Sequence, residues 1–190
     1  MKLELPDWAL AALEGDASDE AAVSEALSAL SGLIPAESPS AAGRRRLLAE
    51  LEGSQRYAPF TSRLGTLFDL DETAVDALLP RTVGSEWQDF PVPGVELLHL
   101  EGGPATRGAD VGLVRLAPGA TFPLHRHLGR EQALILEGGY TDSTGRTFAA
   151  GDVAEMLADT EHDFTAGEEG CVFAVVVFGV EINGVRIGEH

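Results

Sequence analysis

Basic side chains are scarce in this chain. Thirteen Lys and Arg stand against 31 Asp and Glu in 190 residues, a formal net charge of -18. The deficit is not confined to a tail: residues 1–80 carry 6 basic against 14 acidic groups, and residues 81–190 carry 7 against 17. An acidic surface on both halves repels phosphate backbones and anionic lipid headgroups and attracts basic proteins. Direct nucleic-acid binding is therefore not expected, nor is adhesion to a membrane surface. Cysteine is nearly absent: Cys171 stands alone and can close no intrachain disulfide. Its setting, Cys171-Val-Phe-Ala-Val-Val-Val-Phe178, reads as a buried strand and predicts an inert thiol. No apolar run approaches the roughly 20 residues of a membrane helix. The first residues, Met1-Lys-Leu-Glu-Leu-Pro, lack the charged-then-apolar layout of a secretion signal, so a cytoplasmic protein is expected. No internal repeat stands out. A phosphate-binding loop is lacking too, since Gly102-Gly103 has neither the spacing nor the following lysine.

What is present changes character part-way along. Up to about residue 79 the apolar residues recur at helical spacing. Trp8, Leu10 and Leu13 precede a stop at Gly15-Asp16, and Ser18 is placed to cap a second helix. Its stripe is Ala22, Val23, Ala26, Leu27 and Leu30, and the stretch Pro35 to Pro39 breaks it. Leu47, Leu48 and Leu51 follow the triplet Arg44-Arg45-Arg46, which reads as a solvated helix face. Tyr57, Phe60, Leu64, Leu67 and Phe68 mark another helical face, and Asp71 caps a last helix that ends at Pro80. Beyond Pro80, short apolar runs are punctuated by Gly, Pro and Asp: Val95 to Leu100, Val111 to Leu116, Ala133 to Leu136, Val172 to Phe178. That rhythm predicts an all-β sandwich or small barrel. The layout is α+β, with a small helical module at 1–80 and a β domain at 81–190.

Three of the five histidines fall between Gly119 and His162. His125 and His127 are two apart, so on a strand both imidazoles share one face. Glu131 follows four residues later and opens the apolar run to Leu136. His162 stands in a second strand with Phe164 on its inward face and Glu161 and Asp163 turned outward. Imidazoles converging with a carboxylate are ligands for a first-row transition metal. The expected ligands are His125, His127, Glu131 and His162, for one divalent ion. Zinc, iron, nickel, manganese and copper are all open on ligand type alone. Four side chains in a tetrahedron would close the site and suit structural or sensory zinc. A geometry with free positions would suit iron and catalysis. His99 is expected to be a satisfied strand histidine and His190 a terminal one; neither joins the site.

From Gly119 to Gly138 the chain matches G-x5-H-x-H-x3-E-x6-G, the first motif of the cupin superfamily. From Gly151 to His162 it is similar to the second, G-x5-P-x-G-x2-H, with Leu157 and Asp159 in place of the Pro and the second Gly. The run from His125 to Gly145, with Gly151-Asp152, His162 and Glu168-Glu-Gly-Cys171, resembles the cupin domain of ChrR-type anti-sigma factors. That resemblance implies a cupin jelly roll (an antiparallel β-barrel) in residues 81–190 and zinc on His125, His127, Glu131 and His162. It also implies an N-terminal helical module that grips a sigma factor and releases it on an oxidative signal. The opening Trp8-Ala-Leu-Ala-Ala-Leu-Glu-Gly15 is similar to the start of such modules. Their usual second zinc motif, H-x3-C-x2-C, is replaced by Ala26, Leu30 and Leu33, so no metal is expected there.

Two further readings stand beside the regulator. The same cupin branch resembles iron-dependent dioxygenases that cleave diketones or hydroxyacetophenones. A simpler alternative is a cupin that holds a small ligand in its barrel, with the helices covering it or forming a homodimer.

Overall fold

The structure, a computed structural model, describes residues 40–188. The helices expected before Pro35, the replaced zinc motif and His190 lie outside the described residues. The chain divides into two compact units, 1–45 and 46–190. Every element from Ser54 onward belongs to the second.

Helix α1 spans Ala41–Glu52 and leaves Arg44, Arg45 and Arg46 exposed, as a solvated face should. The apolar face expected from Tyr57 to Phe68 is built in two pieces. A 3-10 segment, Ser54–Phe60, contains Pro59, and helix α2 follows at Thr61–Phe68. Proline lacks the N–H that an α-helix interior would use, which suits the tighter, shorter segment. Helix α3, Glu72–Leu78, starts at the expected cap: the Asp71 carboxylate accepts from the Ala74 N–H at 2.8 Å. A 3-10 turn, Leu79–Val83, takes in Pro80. No described helix is long and apolar enough to cross a membrane.

Ten strands follow, all paired antiparallel. They are β1 (Gln88–Asp89), β2 (Val95–Leu100), β3 (Asp110–Leu116), β4 (Thr121–His127) and β5 (Glu131–Asp142). Then come β6 (Thr147–Ala149), β7 (Val153–Met156), β8 (Glu161–Val177), β9 (Val180–Ile182) and β10 (Val185–Ile187). The sheet curls around β8, which pairs with β3, β4 and β5 along its 17 residues. This is the antiparallel β half-barrel of a cupin, preceded by helices.

Alternation along β8 sorts its side chains onto two buried faces. Val172, Ala174 and Val176 join Tyr57, Leu64, Phe68, Val75 and Leu98 in one core, so helices α2 and α3 cover the outer side of the sheet. Cys171, Phe173 and Val175 point the other way, into a second core with Val114, Ile135, Tyr140 and Phe164. Burial on both sides explains why 171–176 is apolar without alternation. Each large side chain so buried contributes about 1.5–3 kcal/mol. Helical residues 57–79 thus share a core with the strands. Cys171 is 3% exposed, and burial pushes its thiol up to about 12, which keeps it protonated and inert.

Gly138, the last residue of the first motif, has φ +60°, and the carbonyl oxygen of Gly170 lies 2.1 Å from where a Cβ would stand. Only glycine fits there. The bend it allows carries β5 from one stretch of β8 to the next.

Candidate metal centre

The site is built on β4, β5 and β8. His125 on β4 lies directly opposite His162 on β8. Two positions further down the pairing, Phe122 faces Phe164, so β4 spends three steps where β8 spends two. This bulge contains Pro123, which has no N–H to contribute to a ladder. The extra residue returns Phe122 and His125 to the same inner face, although their odd separation would put them on opposite sides of a regular strand. Phe122 then meets the His125 ring edge-on, with centroids 5.0 Å apart, and stacks on Phe164 at 5.3 Å.

The three imidazoles converge. His125, His127 and His162 are 3%, 0% and 2% exposed, and one ring nitrogen of each lies within 4.8 Å of the others. Nδ1 of His125 is 2.9 Å from the Pro123 carbonyl oxygen. Nδ1 of His127 is 3.1 Å from both the carbonyl oxygen and the hydroxyl of Thr160. A carbonyl oxygen only accepts, so in both rings Nδ1 carries the hydrogen and a neutral ring leaves a lone pair on Nε2. The Thr160 hydroxyl donates in turn to the Leu157 carbonyl at 2.7 Å, which leaves its lone pairs for His127. Nε2 of His125 and His162 are 3.1 Å apart. Two nitrogens about 2.0–2.1 Å from one tetrahedral ion would stand about 3.3 Å apart. Nδ1 of His162 has no partner on its far side.

Glu131 opens β5, opposite Met156 on β7 and Val177 on β8. Its Oε2 lies 3.4 Å from Nε2 of His127, a nitrogen with no hydrogen-bond partner. Of the four residues expected from the sequence, the structure draws the three histidines into the tight cluster and sets Glu131 at its edge. A bare nitrogen facing a carboxylate in the interior is favourable only when a cation, either a proton or a metal, lies between them. Burial pushes the His125 pKa down, and burial first and the neighbouring imidazoles second bring His162 to about 4. Both rings are therefore neutral at pH 7, the form that binds metal. The residues fit a divalent ion.

His99 stands on β2 with its side chain exposed and lines a cavity at the inner face. Sequence spacing did not single out Pro123 or Thr160, which orient two of the rings. Their signal is only positional: each lies two residues before a motif histidine.

A family model described as the ChrR cupin-like domain matches residues 76–180, more than half of the chain. This chain belongs to the ChrR cupin-like family. Its fold is similar to that of the anti-sigma factor ChrR of Rhodobacter sphaeroides, solved in complex with SigE. That likeness has 20% identity and a TM-score of 0.50, and covers 87% of this chain and 83% of that one. An acetylacetone dioxygenase from Acinetobacter johnsonii shares 17% identity over 55% of this chain and 78% of its own, at a TM-score of 0.46. KdgF from a Halomonas species shares 21% identity over 48% and 85%, at 0.40. At these identities the likenesses concern the fold. A comparison with curated proteins finds no match.

Proposed function

We propose that this ChrR-family chain is a metal-containing regulator. In this reading the helices of residues 1–80 bind a sigma factor, and the cupin of residues 81–190 senses an oxidative or small-molecule signal. The observation that carries it is the extent of the likeness to ChrR, which at 87% of the chain reaches well beyond the cupin motifs. His125, His127 and His162 would hold one divalent ion through Nε2, with Glu131 as the fourth ligand. Zinc is the ion this reading takes first, on the resemblance to ChrR-type cupins, because three imidazoles and a carboxylate suit several first-row metals alike.

The bound ion would supply a positive charge that cross-links β4, β5 and β8. The chain's own residues do the rest. Pro123 and Thr160 fix the tautomers of His125 and His127, and Phe122 and Phe164 hold the His125 ring from the side. The net charge of -18 favours a basic face on the partner. Co-expression with each extracytoplasmic-function-type sigma factor of the same genome, followed by pull-down, tests the reading. Retention of one of them is expected, and failure with all of them would remove it.

One observation also suits an enzyme, namely an apolar cavity against His125 and Glu131. Oxygen uptake by the iron-reconstituted chain with diketones or hydroxyacetophenones would favour that alternative. Tightly held zinc with no uptake would dismiss it.

A further inference from the structure

The three rings of the metal centre are not equally supported. His125 and His127 each have an oxygen acceptor against Nδ1, from Pro123 and Thr160. His162 is 2% exposed, and its Nδ1 has no hydrogen-bond partner among the described residues. With Nε2 on the ion, that nitrogen carries a hydrogen and is a buried donor left unpaired. His162 also forms part of the wall of an open recess of about 540 Å³, which it shares with Arg146, Met156 and Thr160. Met156 lies opposite Glu131 in the pairing of β5 with β7, so both side chains project to the same side of the sheet. Its Sδ is 3.9 Å from Nη2 of Arg146, whose guanidinium is anchored at 2.8 Å on the buried Asp142 carboxylate. A thioether accepts only weakly. The carboxylates of this recess, Glu155 and Glu161, are exposed, and Glu155 is held by Arg130 and Gln132.

We infer that Met156 is a site of reversible oxidation by a hydroperoxide, and that the sulfoxide oxygen supplies the acceptor His162 lacks. The inference deepens the sensory reading above and rests on its metal. A sulfur lone pair attacks the distal oxygen of the peroxide, the O–O bond breaks and an S–O bond forms. The proton of that oxygen passes to the departing oxygen, which leaves as water or an alcohol. Sulfur loses two electrons and the peroxide gains them. The product is a polar group with a strong acceptor oxygen. Arg146, already against the sulfur, and the Nδ1–H of His162 are the donors that offset the cost of burying it. An acceptor on Nδ1 orients the ring and raises the basicity of Nε2, as Pro123 and Thr160 do for the other two, so oxidation tightens the hold on the metal. Met156 is 6% exposed, so only a small peroxide reaches it, from the recess.

The test treats the full, zinc-loaded chain with hydrogen peroxide, zinc itself being redox-inert. Peptide mass analysis reads position 156, Met1 being the only other methionine, and competition with a chelator reads zinc affinity. Met156 should gain one oxygen in the folded chain, and affinity should rise about tenfold, the lower end of the effect of a group supporting a ligand. Methionine sulfoxide reductase should return both to their starting values. Met156→Leu, close in volume, should bind zinc as the untreated native chain does and show no change with peroxide. Met156→Gln, whose amide oxygen stands in for the sulfoxide, should bind zinc more tightly than Met156→Leu without any peroxide. Met156 left reduced in the folded chain, under conditions that oxidise it in the unfolded chain, would overturn the inference. So would a sulfoxide that leaves affinity unchanged or lowers it, a gain that survives removal of the oxygen or appears in Met156→Leu, or Met156→Gln no tighter than Met156→Leu. Should a variant not fold, the treated native chain decides. A chain that takes up no zinc removes the metal reading and this inference together. A chain that takes up zinc but fails the peroxide arms removes this inference alone.

Discussion

Nε2 of His127 and Oε2 of Glu131 face each other across 3.4 Å in the interior, while the hydrogen of His127 is held on Nδ1 by Thr160. Two electron-rich atoms are thereby aimed at one point, next to the paired Nε2 atoms of His125 and His162. The arrangement is stable with a cation at that point and unfavourable without one. The consequences can be measured at the residues that create it.

Thr160→Val removes the hydroxyl that accepts from His127 while leaving the Thr160 backbone carbonyl as a second acceptor. The ring should keep its tautomer but lose part of its orientation. Metal affinity should fall about tenfold, at the lower end of the range for a group supporting a ligand. Competition with a chelator of known affinity reads this directly, and an unchanged affinity would show that the carbonyl alone suffices.

Asp159 occupies the place of a motif glycine and has φ +67°, in the left-handed region. Its N–H donates to the His127 carbonyl at 2.9 Å, so the turn it makes delivers Thr160 to the histidine. Its carboxylate accepts from Arg126, but that pair is exposed and worth little. Asp159→Gly should therefore fold with nearly unchanged stability. Asp159→Val should lose about 1–2 kcal/mol through backbone strain. Chemical denaturation of the two variants separates the cases, and equal losses in both would mean that the ion pair matters more than the turn.

Asp142 gives the fold an acid limit. Its side chain is fully buried, and burial, the largest single effect, opposes its charge. Hydrogen bonds from Thr144 and Arg146, at 2.6 to 3.0 Å, outweigh burial together and bring the pKa to about 2. The folded value lies below the unfolded value of about 3.9. The stabilisation is accordingly complete above about pH 4 and is lost as pH falls through 2. Asp142→Asn should lower the unfolding temperature at pH 7, and the gap to the native chain should close between pH 4 and 2. A gap that stays constant with pH would assign the effect to packing.

Much of this was legible in the sequence, for identifiable reasons. The strands of 95–100 and 111–116 and the Asp71 cap carry local signals, a short apolar run and a carboxylate before a helix. Gly138 was legible too, since it answers to a backbone that only glycine adopts, and the spacing of the motif histidines anticipated the buried cluster of His125, His127 and His162. The full length of β8 was not legible. Gly167, Glu168 and Glu169 are exposed where the strand overhangs the core, so they interrupt the apolar pattern without interrupting the strand. Strands β1, β9 and β10 have two or three residues each, too few for a period to show. The cavity beside His125 was hidden for another reason. Its walls come from residues between Phe90 and Ile187, and only the curl of the sheet brings them together.

The central claim is that His125, His127, Glu131 and His162 hold one divalent metal. Elemental analysis of the purified native chain, set beside His125→Ala, His127→Ala, Glu131→Ala and His162→Ala, tests it most directly. About one equivalent of a single transition metal, zinc first, is expected in the native chain. Each histidine variant should be largely metal-free after dialysis, and Glu131→Ala should be weakened. A native chain that carries no metal and takes up neither zinc nor cobalt on titration would contradict the claim.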